Sequence, residues 1–251
     1  LKNTLAQIVG ENWVKTDPIT RFTYQIDALP LFPKSPLAIV LPQNKSQVIS
    51  IVKVLHEKNI FFLARGAGTG LSGGAIPIEE SVIIDMARMN RILQWDELNR
   101  TIEVEPGVVN IQISKHLAAH GYYFVPDPSS QNACTIGGNV AENSGGPHTL
   151  KYGVTLNHVL ALEVVLPNGK EITLGADTWG LPGPDLLGLF IGSEGTFGIV
   201  TKIKCRVTPL PQSVRTLLCA FSTIDDACRA VSGIIAQGII PAALELIDSL
   251  V

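Results

Sequence analysis

The chain has 251 residues, a formal net charge of −3, 46% hydrophobic residues and only 16% charged ones. That composition supplies a sizeable core and excludes a disordered tail, which needs high charge and low hydrophobicity. It also lacks the basic excess of a nucleic-acid backbone binder, and its 23 Gly and 16 Pro follow no collagen period.

Length predicts one large domain or two smaller ones. No apolar run reaches the ~18–20 residues of a membrane helix, so no transmembrane segment is expected. No basic region followed by an apolar stretch marks a signal peptide. Cys134, Cys205, Cys219 and Cys228 form no CxxC pair, which reads as four reduced thiols in a cytosolic protein. Residue 1 is Leu, and with the low charge this suggests a piece of a longer chain.

Residues 1–35 are mixed and turn-rich and read as an N-terminal extension. Leu37 to Leu41 reads as a buried strand. Asn44 and Ser46 are cap candidates for a helix whose Val48, Ile51, Val52 and Leu55 recur at helical spacing. Ile60 to Ala64 reads as a second buried strand running into a glycine-rich loop, 66–74. Val82 to Ile84 and Thr101 to Val104 are further strands. Residues 110–120 form a helix with Ile113, His116, Leu117 and His120 on one stripe, ended by Gly121. A second glycine-rich stretch covers Thr135 to Gly146. Leu160 to Leu166 and Lys170 to Leu174 flank Pro167-Asn168-Gly169, which predicts a hairpin with a type I′ turn. Asp185 to Phe190 is a short helix and Gly198 to Thr208 a long strand. Pro209-Leu210-Pro211 breaks the pattern. Beyond it a strand is expected at 217–221, then a helix with a Ser222/Asp225 capping box. Ala227, Ala230, Val231 and Ile234 form the apolar face of that helix, and a strand at 243–247 follows.

The loop Arg65-Gly66-Ala67-Gly68-Thr69-Gly70-Leu71-Ser72-Gly73-Gly74 carries most information. It contains a GxGxxG, but no helix pattern follows as a dinucleotide-binding turn requires. A Walker loop fails because no Gly-Lys-Ser/Thr is present. It also contains GxSxG around Ser72, without the helix of a nucleophile elbow. The reading that remains is a nest, in which successive small residues present backbone N–H groups to an anion. The second stretch, Pro126-Asp127-Pro128-Ser129-Ser130 and then Thr135 to Gly146, is again small and hydroxyl-rich. Two such stretches imply a long ligand lying against bare backbone.

With Leu150-Lys151-Tyr152-Gly153 and Gly192-Ser193-Glu194-Gly195-Thr196-Phe197-Gly198-Ile199, these segments resemble the FAD-linked oxidases of the vanillyl-alcohol-oxidase type, most closely the group of glycolate oxidase flavin subunits and D-lactate dehydrogenases. The resemblance implies an α+β fold. Residues 36–211 would be a PCMH-type FAD-binding domain of two α+β subdomains, and 212–251 the truncated start of an α+β cap domain. It also implies a cofactor site. Arg65, Gly66, Ala67, Gly68, Thr69, Gly70, Leu71 and Ser72 would wrap the FAD pyrophosphate. Pro126, Asp127 and Ser130, with Thr135, Ile136, Gly137, Gly138, Asn139, Ala141, Asn143, Ser144 and Gly145, would line the diphosphate, ribityl chain and flavin. Glu194, Gly195 and Ile199 would meet the adenosine half. Some relatives attach FAD through a His in the first loop. Thr69 stands near that place here, so non-covalent FAD is expected.

The activity so implied is oxidation of a small 2-hydroxy acid, glycolate first and D-lactate second. Electrons would pass to an iron–sulfur subunit or a quinone. The setting would be cytoplasmic, peripheral to the inner membrane face. The catalytic base and carboxylate clamp are expected beyond Val251, so no catalytic residue and no metal ligand is named. His148 could approach the flavin but reads more simply as a half-solvated loop residue. The rival readings are a serine hydrolase using Ser72 and a folded, cofactor-free binding module.

Overall fold

The computed structural model describes residues 1–78, 80–176 and 183–248. Residues 1–35, expected as an extension, are built into the first of two layers. Helix α1 (Lys2–Val9) buries Leu5 and Val9, and strand β1 (Val14–Lys15) pairs antiparallel with β2 (Ala38–Val40). Helix α2 (Pro18–Thr23) starts at Asp17, whose carboxylate accepts the Thr20 N–H, with Pro18 at the first helical position. Helix α3 (Lys45–Glu57) follows its sequence pattern, and Val48, Ile51, Val52 and Leu55 are all fully buried. Burying each contributes on the order of 1.5–3 kcal/mol. Its cap is Asn44, not Ser46: the Asn44 Oδ1 accepts the Gln47 N–H at 3.0 Å.

Strand β3 (Phe62–Arg65) and β4 (Val82–Asp85) complete a sheet of order β1-β2-β4-β3, in which β4 pairs parallel with both β2 and β3. The central β4 is buried throughout, whereas β3 lies at an edge. The buried strand expected at 60–64 is therefore only half-buried, and Phe61 is exposed.

The second layer is an antiparallel sheet. Its strands are β5 (Ile92–Asp96) and β6 (Thr101–Val104), then, after helix α4 (Asn110–Leu117), the short β7 (Tyr122–Tyr123), helix α5 (Ile136–Glu142) and helix α6 (Thr149–Tyr152), strands β8 (Val159–Val165) and β9 (Glu171–Gly175). Helix α7 (Leu186–Phe190), strand β10 (Ile199–Arg206) and the short β11 (Thr208–Pro209) complete it. The order is β5-β6-β10-β8-β9, and β11 pairs separately with β7. Ile113 and Leu117 of α4, Ile136 and Val140 of α5 and Phe190 of α7 pack over this sheet in one core. His116 and His120, expected on the buried stripe of α4, are both exposed, and His120 stacks beside Trp95.

The hairpin forms between β8 and β9, with a different turn. The Gly169 N–H donates to the Leu166 carbonyl at 2.8 Å, and Gly169, not Asn168, takes a left-handed φ of 78°. Pro167 fixes φ near −65° at the second turn position, so the chain makes a type I turn closed by a left-handed glycine bulge.

After β11 the chain forms helix α8 (Ile224–Ala236). Its cap lies one residue later than expected: the Thr223 Oγ1 accepts the Asp226 N–H at 3.1 Å. None of Ala227, Ala230, Val231 and Ile234 is buried. The strands expected at 217–221 and 243–247 do not form. Alternation supplies a side-chain pattern, but a strand also needs a hydrogen-bonding neighbour. All four cysteines are free thiols, with Cys134 and Cys205 buried.

Candidate functional site

A cavity of about 290 Å³ lies between the two layers. One wall is the end of β3 and the loop after it, from Ala64 to Leu71 with Gly74 and Ala75. The opposite wall is α5 and its approach, with Ser130, Thr135, Gly137, Gly138, Asn139, Ala141 and Ser144. Glu194 and Gly195, in the turn before β10, and Ile199 at its start close one side. A second cavity of about 660 Å³ adjoins it, sharing Ala64, Gly74, Glu194 and Ile199 and bordered also by Ser72.

The first glycine loop leaves its donors open. Among the described residues, the backbone N–H groups of Ala67, Gly68, Thr69, Gly70, Leu71 and Ser72 make no hydrogen bond within the chain. Six successive free N–H groups on a loop that borders the two cavities are what an anion nest requires, and a closed turn would have paired some of them. Gly68 demands glycine: its φ is 68°, and a Cβ there would run into the Arg65 guanidinium. The loop is fixed at both ends. The Ala28 N–H donates to the Gly70 carbonyl at 3.2 Å, and the Gly73 N–H donates to Asp27 Oδ2 at 3.0 Å.

The second glycine stretch is not a loop. Thr135 caps α5, and the helix begins at once. Its first donors are engaged: the Ile136 N–H donates to Val108, and that of Gly137 to Pro106 at 2.8 Å. The Gly138 N–H reaches Thr135 Oγ1 at 3.4 Å. Gly137 serves close packing, because a Cβ there would lie 2.7 Å from the Pro106 Cβ and 2.9 Å from its carbonyl oxygen. What this helix offers the cavity is a side chain. Asn139 is 1% exposed and borders the cavity, and neither its Oδ1 nor its Nδ2 has a hydrogen-bond partner. A buried amide left unpaired costs about 1–3 kcal/mol, so a polar ligand atom is the natural complement.

Other expected site residues lie off the first cavity. Ile136 is fully buried in the core of the second layer. Asn143 terminates α5 in a left-handed conformation, and its Oδ1 accepts the Leu156 N–H at 2.9 Å. Gly145 packs against Thr149 and Val154. The Pro126 carbonyl accepts from Asn110 Nδ2 at 3.0 Å. Asp127 pairs with His148, its Oδ2 lying 2.6 Å from Nδ1. His148 is thus half-exposed, as expected, and is oriented by Asp127. Ser72 borders the second cavity, and its hydroxyl donates to Glu142 Oε2 at 2.8 Å, across the cleft.

Charge in the first cavity is mainly negative. Asp27, Glu142 and Glu194 face one cation, Arg65. Arg65 is buried and its terminal nitrogens are engaged: Nη1 donates to the Tyr24 and Ala75 carbonyls, and Nη2 to that of Ile26. Burial lowers the Arg65 pKa, opposed by the charges of Tyr24, Asp85 and Asp27. Burial likewise raises that of Asp85, although the Tyr24 hydroxyl and the Ala87 N–H bond to its carboxylate. The Cys134 thiol, on the cavity wall, is also pushed up by burial. An anion placed here would meet backbone N–H groups rather than a free side-chain cation. Asp27, Glu142, Cys134 and Phe190 border the cavity without having been anticipated. Glu142 lies inside the second stretch and was within reach of the pattern. Asp27 is brought in by long-range packing that no local pattern signals.

Comparison with known proteins adds to this geometry. A family model described as "FAD binding domain" matches residues 36–175, and one described as "FAD linked oxidases, C-terminal domain" matches 210–251. A glycolate oxidase subunit GlcD of Escherichia coli (strain K12) is 48% identical over 227 residues, covering 90% of this chain and 46% of the relative. A D-lactate dehydrogenase of Anaerostipes hadrus is 36% identical, covering 88% of this chain and 47% of the relative. The chain spans about half the length of the curated relatives it matches. Among solved structures, an alkyldihydroxyacetonephosphate synthase superposes with a TM-score of 0.83 at 27% identity, covering 96% of this chain and 46% of that one. A p-cresol methylhydroxylase does so with a TM-score of 0.73 at 25% identity, covering 84% and 43%.

Proposed function

Because the chain belongs to the FAD-linked oxidoreductases built on the PCMH-type FAD-binding domain, we propose that it holds FAD non-covalently in the cleft between its two layers and is the flavin-binding part of a 2-hydroxy-acid oxidoreductase. The observation that carries this reading is the run of six open N–H groups from Ala67 to Ser72. A diphosphate is the cofactor element that matches a row of backbone donors. Asn139 adds two unanswered polar atoms on the facing wall. Thr69 stands in the first loop near the place where some relatives carry the attaching histidine, which favours non-covalent attachment.

The roles of the chain's own residues follow. Ala67 to Ser72 bind the diphosphate through backbone. Asn139 orients the cofactor through its amide. Met86, Phe190 and Val200, on the cavity wall, exclude water from it. FAD, once bound, supplies the acceptor for a hydride from the α-carbon of the acid. We assign the substrate as glycolate, with D-lactate second, on the strength of the relatives' names. Electrons would leave through a partner iron–sulfur subunit or a quinone. Residues 36–211, together with the first-layer elements of 1–35, form the flavin unit in this reading, and 212–251 open the substrate-side domain, which the second family match supports.

An absorbance spectrum of the purified chain, before and after heat denaturation, tests the proposal. Bands near roughly 370 and 450 nm that pass into the supernatant as free FAD are expected. A folded chain that is colourless and refuses added FAD would contradict it.

A further inference from the structure

We propose that Asp27 is a positioning residue for the diphosphate loop, and that the strap 24–28 forms part of the cofactor site. The inference rests on the FAD reading above. The strap lies before residue 36, outside the segment matched as an FAD binding domain. It nevertheless holds the loop at several points. The Ala28 N–H donates to the Gly70 carbonyl. Carbonyls of Tyr24 and Ile26, in the strap, and Ala75, after the loop, converge on the Arg65 guanidinium. The Tyr24 hydroxyl is anchored on Asp85 at the end of β4.

Asp27 is the centre of this arrangement. It is 6% exposed, and it accepts the Leu29 N–H on Oδ1 at 2.8 Å and the Gly73 N–H on Oδ2 at 3.0 Å. Only a carboxylate accepts with both of its terminal atoms; an asparagine in the same place offers one acceptor and one donor. Asp27 also borders the cavity, where a negative charge opposes an anionic ligand. Its charge therefore weakens anion binding, while its two acceptor bonds fix the loop that binds the anion. The two effects have opposite signs, so substitution separates them.

FAD is titrated into the unaltered chain and into Asp27→Asn and Asp27→Ala, with apo melting temperature recorded for each. If Asp27 positions the loop, Asp27→Asn binds FAD about tenfold more weakly despite losing the opposing charge, because one charged hydrogen bond is gone. If the carboxylate is only tolerated, Asp27→Asn binds FAD as tightly or more tightly, and the proposal falls. A shift confined to apo melting, with unchanged FAD affinity, also overturns it. Amide hydrogen exchange on the unaltered apo chain covers the case in which neither variant folds. Gly73 should be protected while residues 67–72 exchange freely, and equal rates would overturn the proposal. Failure of the unaltered chain to take up FAD would instead overturn the function on which this inference stands.

Discussion

Two glycine-rich segments face each other across the cleft, and they use glycine for different ends. In 66–74 six successive N–H groups, from Ala67 to Ser72, make no hydrogen bond within the chain. In 135–146 the donors at the helix start are already engaged, and Gly137 lets α5 sit against Pro106. Under the proposed function, the first segment receives a ligand's charge and the second brings a helix close enough to present Asn139. Small residues in a sequence therefore mark close approach, but whether a ligand or another part of the chain makes the approach is decided by where the N–H groups go.

The largest expected effect is in the layer that holds the second segment. His158 is buried, its Nε2–H donates to the Tyr152 carbonyl at 3.0 Å, and burial pulls its pKa down from 6.5 to about 4. The unfolded chain therefore binds the proton more readily. The contribution is complete above pH 6.5 and is lost as pH falls toward 4, by about 3 kcal/mol in all. Urea melts across that window should show the loss, and His158→Phe should remove most of its pH dependence.

Gly137→Ala comes next and should break the packed segment. The new methyl meets backbone, and overpacking of this kind costs about 1–3 kcal/mol. Melting temperature should drop with or without FAD. Gly68→Ala should break the open segment instead: forcing a side chain into a left-handed φ costs about 1–3 kcal/mol, and FAD affinity should fall about tenfold or more by fluorescence titration. If Gly68→Ala binds FAD normally, the contrast between the segments is lost.

Asn139→Leu sharpens the comparison because its two readouts move in opposite directions. Apo stability should rise, by up to about 1–3 kcal/mol, as an unanswered buried amide is removed. FAD affinity should fall. Ser72→Ala is the smallest change. Losing the exposed bond to Glu142 should cost under about 1 kcal/mol by thermal melt, and serine-reactive probes should label neither form. Labelling that disappears in Ser72→Ala would revive a hydrolytic reading.

Much of this was legible in the sequence. The four-residue stripe of α3, its Asn44 cap and the first glycine loop follow from periodicity and composition. Helix α5 was hidden because a glycine pair near its start has poor helix propensity, which the burial of Ile136 and Val140 and the packing of Gly137 against Pro106 override. The turn between β8 and β9 differs from its expected type because Asn-Gly suggested one geometry while Pro167 imposed another. Asp27 was invisible, since nothing within residues 24–28 announces a loop some 45 residues later in the chain. The expected strands at 217–221 and 243–247 had the alternation but not the neighbour.

The central claim is that backbone donors of the first loop, and not those of α5, receive the cofactor's diphosphate. Amide exchange of the folded chain with and without FAD tests it most directly. Protection gained at residues 67–72, with 136–138 unchanged, is the result predicted here. Saturating FAD that leaves 67–72 exchanging as before would contradict it.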